Sequence, residues 1–251
     1  MINEKIKSKK AAAKSNRKFN SVFDENASFA FVEAYKSLRT NLKFISSATD
    51  AKCFLVTSAL PDESKSTTAI NLAITLAKDG QSVILVECDL RKPVLRQYLK
   101  LDRGAKGLSS LLSFQATLAE CTKRLSDLGI SVIPGGIVPP NPSELLSHER
   151  MELLINVLKQ RFDYVILDAP PASVVTDAAV VGRLADGAIL VIRSQFAPMK
   201  TIRLAVARLE AVNIKIIGAV LTRHSAKKFR ERYVWGYDAY GYGEYAQRGK
   251  K

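Results

Sequence analysis

At 251 residues, with 47% hydrophobic and 25% charged residues, the chain is long enough for one large α/β domain with a buried core and too short for two. Its net charge of +14 is concentrated at the ends: residues 1–20 carry seven Lys/Arg against one Glu, and residues 223–251 carry eight against three acids, so that 21–222 holds only +3. This distribution argues against a specific nucleic-acid groove on the folded body and suits tails that meet anionic lipid or acidic partners. No apolar run approaches the ~20 residues that cross a bilayer, and MINEKIKSKK lacks the apolar core of a signal peptide, so a cytoplasmic protein is expected. Cys53, Cys88 and Cys121 are odd in number and lack metal-ligand spacing, which predicts reduced thiols.

Residues 1–27 offer little to bury and are expected to be a disordered basic tail. In SFAFVEAYKSLRTNLKFI, Phe31, Ala34, Tyr35, Leu38, Leu42 and Ile45 recur at helical spacing and predict an amphipathic helix. Glu33, Lys36 and Arg39 fall three apart on a neighbouring face, where they can pair within the helix or reach another subunit. The stretch FLVTSALPDESKSTTAINLAITL follows. An apolar run, a polar loop and Lys-Ser-Thr opening a helix form the layout of a phosphate-binding loop, although Ala59 and Ser64 stand where the generic pattern has glycine.

From there strands and helices alternate. Strands are predicted at Cys53–Thr57, Ser82–Glu87, Ile130–Ile133, Tyr164–Asp168, Gly187–Arg193 and Lys215–Thr222, and helices at 66–78, 143–160, 175–185 and 199–210. Apolar strands separated by amphipathic helices imply an α/β fold, a mostly parallel sheet with helices on both faces, which binds ligands at the carboxyl ends of its strands. Glu87, Asp89 and Asp168 sit at such ends, beside Lys65. One acid after a strand is usually a turn or cap residue. Three at one edge suit a Mg²⁺ nucleotide site.

These residues carry a resemblance. EAYKSLRTNL, TSALPDESKSTTAINLA, VILVECDLRKP, GLSSLL, PGGIVPPNPSELL, YVILDAPP, DAAVVGRLADGAILVIR and IIGAVL make the chain similar to the bacterial tyrosine kinases of capsular and exopolysaccharide clusters, relatives of the ParA/MinD P-loop ATPases. The resemblance implies a kinase domain over 28–222 and a tyrosine-bearing tail over 223–251. It implies ATP phosphates held by Asp62, Glu63, Ser64, Lys65, Ser66 and Thr67, Mg²⁺ held by Ser66, Asp89 and Asp168, and catalysis by Lys65, Glu87, Asp89 and Asp168, with Glu87 accepting the phenol proton. Arg91 and Lys92 are candidates for phosphate contact or for surface charge.

The resemblance also implies self-assembly through Glu33, Lys36 and Arg39 into a ring such as an octamer. Its further partners are a transmembrane polysaccharide chain-length regulator that activates the kinase at the membrane's inner face and a cognate tyrosine phosphatase. Five of eight tyrosines, Tyr233, Tyr237, Tyr240, Tyr242 and Tyr245, fall in the last 19 residues without a periodic apolar face, and are the implied phosphoacceptors.

The departures from the family pattern are local. Asp62 and Ser64 replace glycines of PGEGKS, Glu87 replaces the first acid of Asp-x-Asp, Lys36 replaces the first arginine of Glu-x-x-Arg-x-x-Arg, and Thr222 stands where an adenine-reading Asn is common. A scaffold that binds nucleotide without transferring phosphate is one alternative. A partition ATPase is the other, but Leu60 lies where such proteins carry a second lysine.

Overall fold

A computed structural model describes residues 19, 21–22, 24–102 and 104–224. The expected phosphoacceptors Tyr233, Tyr237, Tyr240, Tyr242 and Tyr245, and most of both tails, lie outside the described residues.

The first helix, α1 (Phe29–Thr49), is capped by the Ser28 hydroxyl and leads into β1 (Cys53–Ser58). The phosphate-loop stretch then opens α2 (Lys65–Lys78), followed by β2 (Val83–Glu87) and three short helices, α3 (Leu95–Tyr98), α4 (Leu108–Leu112) and α5 (Leu118–Cys121). Next come β3 (Lys123–Leu125), β4 (Ile130–Ile133), α6 (Pro142–Ser147), α7 (Glu149–Arg161) and β5 (Tyr164–Asp168). The chain closes with α8 (Asp177–Gly182), β6 (Gly187–Arg193), α9 (Met199–Glu210) and β7 (Ile216–Thr222).

The strands form one sheet in the order β3-β4-β2-β5-β1-β6-β7, parallel except for β3, which runs antiparallel to β4. β1, β2, β4 and β5 are buried along their whole length, as expected of strands covered on both faces. Alternate residues feed two cores: Phe54 and Val56 join Ile70, Leu72 and Ile74 of α2, while Cys53 and Leu55 join Met151, Leu154 and Leu158 of α7. Burying such side chains contributes roughly 1.5–3 kcal/mol each, which makes the central strands a rigid platform.

The structure differs from, or adds to, the sequence reading in three places. The helix expected over 143–160 is two helices, because His148 takes an extended backbone and accepts the Arg150 N–H to cap α7. The antiparallel edge strand β3 was not expected. Phe19 stacks on Tyr98 at 5.9 Å and the Val22 N–H donates to Asn71 Oδ1 at 2.9 Å, so a stretch expected to bury little touches the body.

The three cysteines are buried and unbridged. Among the described residues, no helix is long and apolar enough to cross a membrane.

Candidate functional site

The order β2-β5-β1 places the ends of those strands side by side, with Glu87 in register with Asp168. Both Cys88 and Asp89 N–H groups donate to the Asp168 carbonyl, at 2.8 and 3.1 Å, which extends the pairing past β2 and brings Asp89 over the loop before α2. There Lys65 Nζ bonds Asp89 Oδ2 at 2.8 Å, Ser66 Oγ at 3.3 Å and Asp168 Oδ1 at 3.5 Å. The structure thus brings Lys65, Ser66, Asp89 and Asp168 into one cluster.

The cluster is electrostatically poised. Asp168 is fully buried, and its Oδ2 has no hydrogen-bond partner among the described residues. Burial pushes its carboxyl above the ordinary range, and the Lys65 charge offsets this only in part. Burial would lower the Lys65 pKa, but Asp168 and Asp89 outweigh it and hold the ammonium above its usual value. Lys65 therefore stays charged.

The loop itself is built against glycine's absence. Asp62 and Ser64 take φ of 68° and 72°, the left-handed conformation that glycine would adopt freely. Ser64 makes no side-chain cap, so the first amides of α2 face outward at the positive end of a 14-residue helix, an arrangement that suits an anion.

Glu63 turns inward and is fully buried: Oε2 accepts the Leu60 N–H at 2.6 Å, Oε1 the Arg193 N–H at 3.1 Å, and its carbonyl accepts the Thr222 hydroxyl at 3.0 Å. Its side chain braces the loop, leaving only its backbone for phosphate. Thr222, at the expected adenine-reading position, is engaged in this brace.

Glu87 stands apart from the cluster. Its Oε1 accepts the N–H groups of Val94 and Leu95, and its Oε2 that of Gly135 at 2.7 Å. Burial raises its pKa to about 7 despite these bonds. Both oxygens are occupied in tying the loops after β2 and β4 together, which does not suit the expected proton-accepting role.

Arg91 does not reach toward phosphate either. Its Nε and Nη2 grip both oxygens of the fully buried Asp177, at 2.8 and 3.0 Å, and Nη2 also donates to Ser143 Oγ at 2.9 Å. Lys92 contributes its N–H to Asp89 Oδ1 at 3.1 Å. This Arg91–Asp177–Ser143 clamp was missed in the sequence because Asp177 follows no strand.

The expected oligomerisation residues divide. Lys36 pairs with Glu33 at 2.7 Å within α1, both exposed. Arg39 instead bonds Asp79 at 3.2 Å and is only 20% exposed, stapling α1 to the end of α2.

Comparison with known proteins agrees with this geometry. The AAA domain family matches residues 63–217. The tyrosine-protein kinase YwqD of Bacillus subtilis is 36% identical over 205 residues, covering 82% of this chain and 85% of YwqD. The chain belongs to the bacterial tyrosine-protein kinases.

The kinase's fold matches the solved kinase domain of the Escherichia coli tyrosine kinase ETK with a TM-score of 0.73 and 36% identity, over 77% of each chain. The cell division ATPase MinD of Pyrococcus furiosus matches at a TM-score of 0.61 and 22% identity, over 70% of this chain and 73% of MinD, and shares the P-loop fold alone. The kinase spans only 27–29% of the longer Salmonella and E. coli kinases it also matches.

Proposed function

We propose that this chain transfers the terminal phosphoryl group of Mg-ATP to tyrosines of its own segment 223–251, as part of the control of capsular or exopolysaccharide synthesis and export. The observation that carries the reading is the cluster of Lys65, Asp89 and Asp168 beneath the uncapped start of α2.

Several features fit a Mg-nucleotide. The outward amides of α2 and the Lys65 ammonium suit phosphate oxygens. Two carboxylates and the Ser66 hydroxyl suit Mg²⁺, which commonly takes one or two carboxylates beside substrate phosphates. The unpartnered Oδ2 of Asp168 has an unmet demand for a cation or a water bound to one. Bound Mg-ATP would supply the transferable phosphoryl group and offset its charge.

The protein's part is placement and charge. Lys65 stabilises negative charge on the transferred group. Asp89, whose Oδ2 faces the Lys65 ammonium and whose Oδ1 accepts a single backbone amide, that of Lys92, accepts the phenol proton as the tyrosine oxygen bonds to the terminal phosphorus and the bond from that phosphorus to the departing ADP oxygen breaks. Glu87 and the Arg91–Asp177 clamp hold the Asp89 loop in place.

In the cell the kinase works in the cytoplasm, recruited to the membrane by a transmembrane chain-length regulator. It assembles as a homo-oligomeric ring that phosphorylation of the tail dissolves, since each phosphate adds about −1.5 to −2 charge, and a tyrosine phosphatase resets it.

A second reading, a nucleotide-binding scaffold, draws on the non-glycine residues at φ 68° and 72° in the loop. One experiment separates the two. Purified protein given Mg-ATP and the activating partner gains phosphate mass in a peptide containing Tyr233–Tyr245, and Lys65→Met does not. Absence of phosphate in both samples favours the scaffold.

A further inference from the structure

One face of α2 carries a polar stripe in an otherwise apolar helix. Thr68, Asn71 and Thr75 recur there at helical spacing, and all three are buried, Thr68 and Asn71 completely. Apolar side chains in their place would be buried without the cost of desolvating a polar group, so each of the three needs a partner. Thr75 Oγ1 donates to the Asn71 carbonyl at 2.6 Å, Asn71 Oδ1 accepts the Val22 N–H at 2.9 Å, and Thr68 Oγ1 donates to the Ser64 carbonyl at 3.0 Å.

The stripe is also reached from α1. Tyr35 is only 9% exposed, and its hydroxyl meets the side chains of Asn71 and Thr68. Phe31, one turn earlier in α1, packs edge-on against the Tyr35 ring with centroids 5.1 Å apart and fixes its direction.

The proton count orients these contacts. A threonine hydroxyl has one proton, and that of Thr68 goes to Ser64, so toward Tyr35 it only accepts and Tyr35 donates. One end of the series is therefore α1 and the other is the backbone of the phosphate loop. The Ser64 carbonyl takes both the Thr68 N–H, at 2.9 Å, and the Thr68 hydroxyl. Ser64 is where the loop most needs holding, because it keeps φ of 72° without glycine's freedom and its own side chain makes no cap. Glu63 beside it is gripped from the ends of β6 and β7. Thr68 grips the loop from the opposite side, with Tyr35 behind it.

We propose that Tyr35 is a positioning residue for nucleotide binding: through Thr68 it holds Ser64 in the left-handed conformation that aims the first amides of α2 at phosphate. This rests on the reading of that loop as the phosphate site and deepens it, since it gives α1 a part in holding the nucleotide.

Tyr35→Phe in the full chain removes the hydroxyl and keeps the ring. Without nucleotide, amide hydrogen exchange in peptides covering residues 60–66 should run about fivefold faster than in wild type, because a buried hydrogen bond that limits local opening is lost. Peptides from α7, on the other face of the sheet, should exchange as before. The Kd for Mg-ADP in calorimetry should rise by about the same factor. Thr68→Val breaks the link from its other side with little change of shape and should produce both effects. Adding Tyr35→Phe to it should change either by less than about twofold.

A Tyr35 that serves only the packing of α1 on α2 would lower the urea midpoint of Tyr35→Phe while leaving loop exchange and Mg-ADP affinity unchanged, and that result overturns the proposal. Full additivity with Thr68→Val overturns the route through Thr68. Failure of wild type to bind Mg-ADP overturns the nucleotide reading, and the nucleotide-free exchange comparison then upholds or overturns the brace by itself.

Discussion

Aspartates stand at both edges of the sheet, and they are treated in opposite ways. At the amino ends, Asp186 Oδ2 accepts the Lys52 and Cys53 N–H groups, each at 2.8 Å, and Oδ1 accepts Lys159 Nζ at 2.7 Å. Asp163 similarly takes the N–H and hydroxyl of Ser82 at 2.8 and 2.7 Å. Burial would raise the Asp186 carboxyl, but Lys159 and the two amides outweigh it and hold it below the ordinary range. Asp163 is held low chiefly by the Ser82 hydroxyl. At the carboxyl ends, Asp168 is more deeply buried, less completely bonded and shifted upward. Satisfied acids hold strands in register, whereas under-satisfied acids remain available for chemistry.

The largest expected contrast comes from making the same change at each edge. Asp168→Asn should lower tail phosphorylation by about 10²-fold or more while the unfolding midpoint holds or rises. Asp186→Asn should leave the phosphorylation rate within about twofold and cost about 1–3 kcal/mol in urea unfolding, since two amides and Lys159 lose a charged partner. Similar stability losses in both would break the distinction.

An intermediate case sharpens it. Asp177 lies near the active edge but is fully bonded by Arg91 and Ser143. Asp177→Ala should therefore affect both properties, lowering kcat about tenfold through the loose Asp89 loop and lowering stability by about 1–3 kcal/mol. Arg91→Lys should restore neither in that background.

A third measurement follows from Glu87. Its folded pKa, raised to about 7, exceeds its unfolded value near 4.5, so the native state binds the proton more tightly. Its contribution is present below pH ~4.5 and is lost as pH rises toward ~7. The stability of wild type relative to Glu87→Gln should fall across that window in urea titrations, whereas the stability of wild type relative to Asp186→Asn should not fall there, because Glu87 is common to both proteins and the Asp186 carboxyl is held low.

The smallest effect concerns the loop. Ser64→Gly should stabilise by at most about 1 kcal/mol, the left-handed strain being partly offset by the greater freedom of unfolded glycine. It should also tighten nucleotide binding in calorimetry.

The sheet was legible because its parallel strands are apolar runs, and Lys65, Asp89 and Asp168 were legible because position after a strand implies an edge. Less visible was where side chains turn. Glu63 and Glu87 have the right residue type and place but point toward backbone amides. β3 escaped notice because Lys123-Arg124-Leu125 is short and polar, defined by pairing with β4 alone. The break at His148 was masked by leucines at helical spacing on both sides of it. Arg39 shows the same limit: helical spacing gave its face, while its partner, Asp79, came from packing.

One contact has a mechanical meaning. The Thr222 hydroxyl holds the Glu63 carbonyl in the middle of the phosphate loop, and Thr222 is the last residue of β7 before the tyrosine-bearing segment begins. Tension applied to that segment and transmitted to Thr222 therefore acts on a bond that sets the shape of the loop. On the proposed function, a substrate attached at this point is also a handle on the machinery that modifies it.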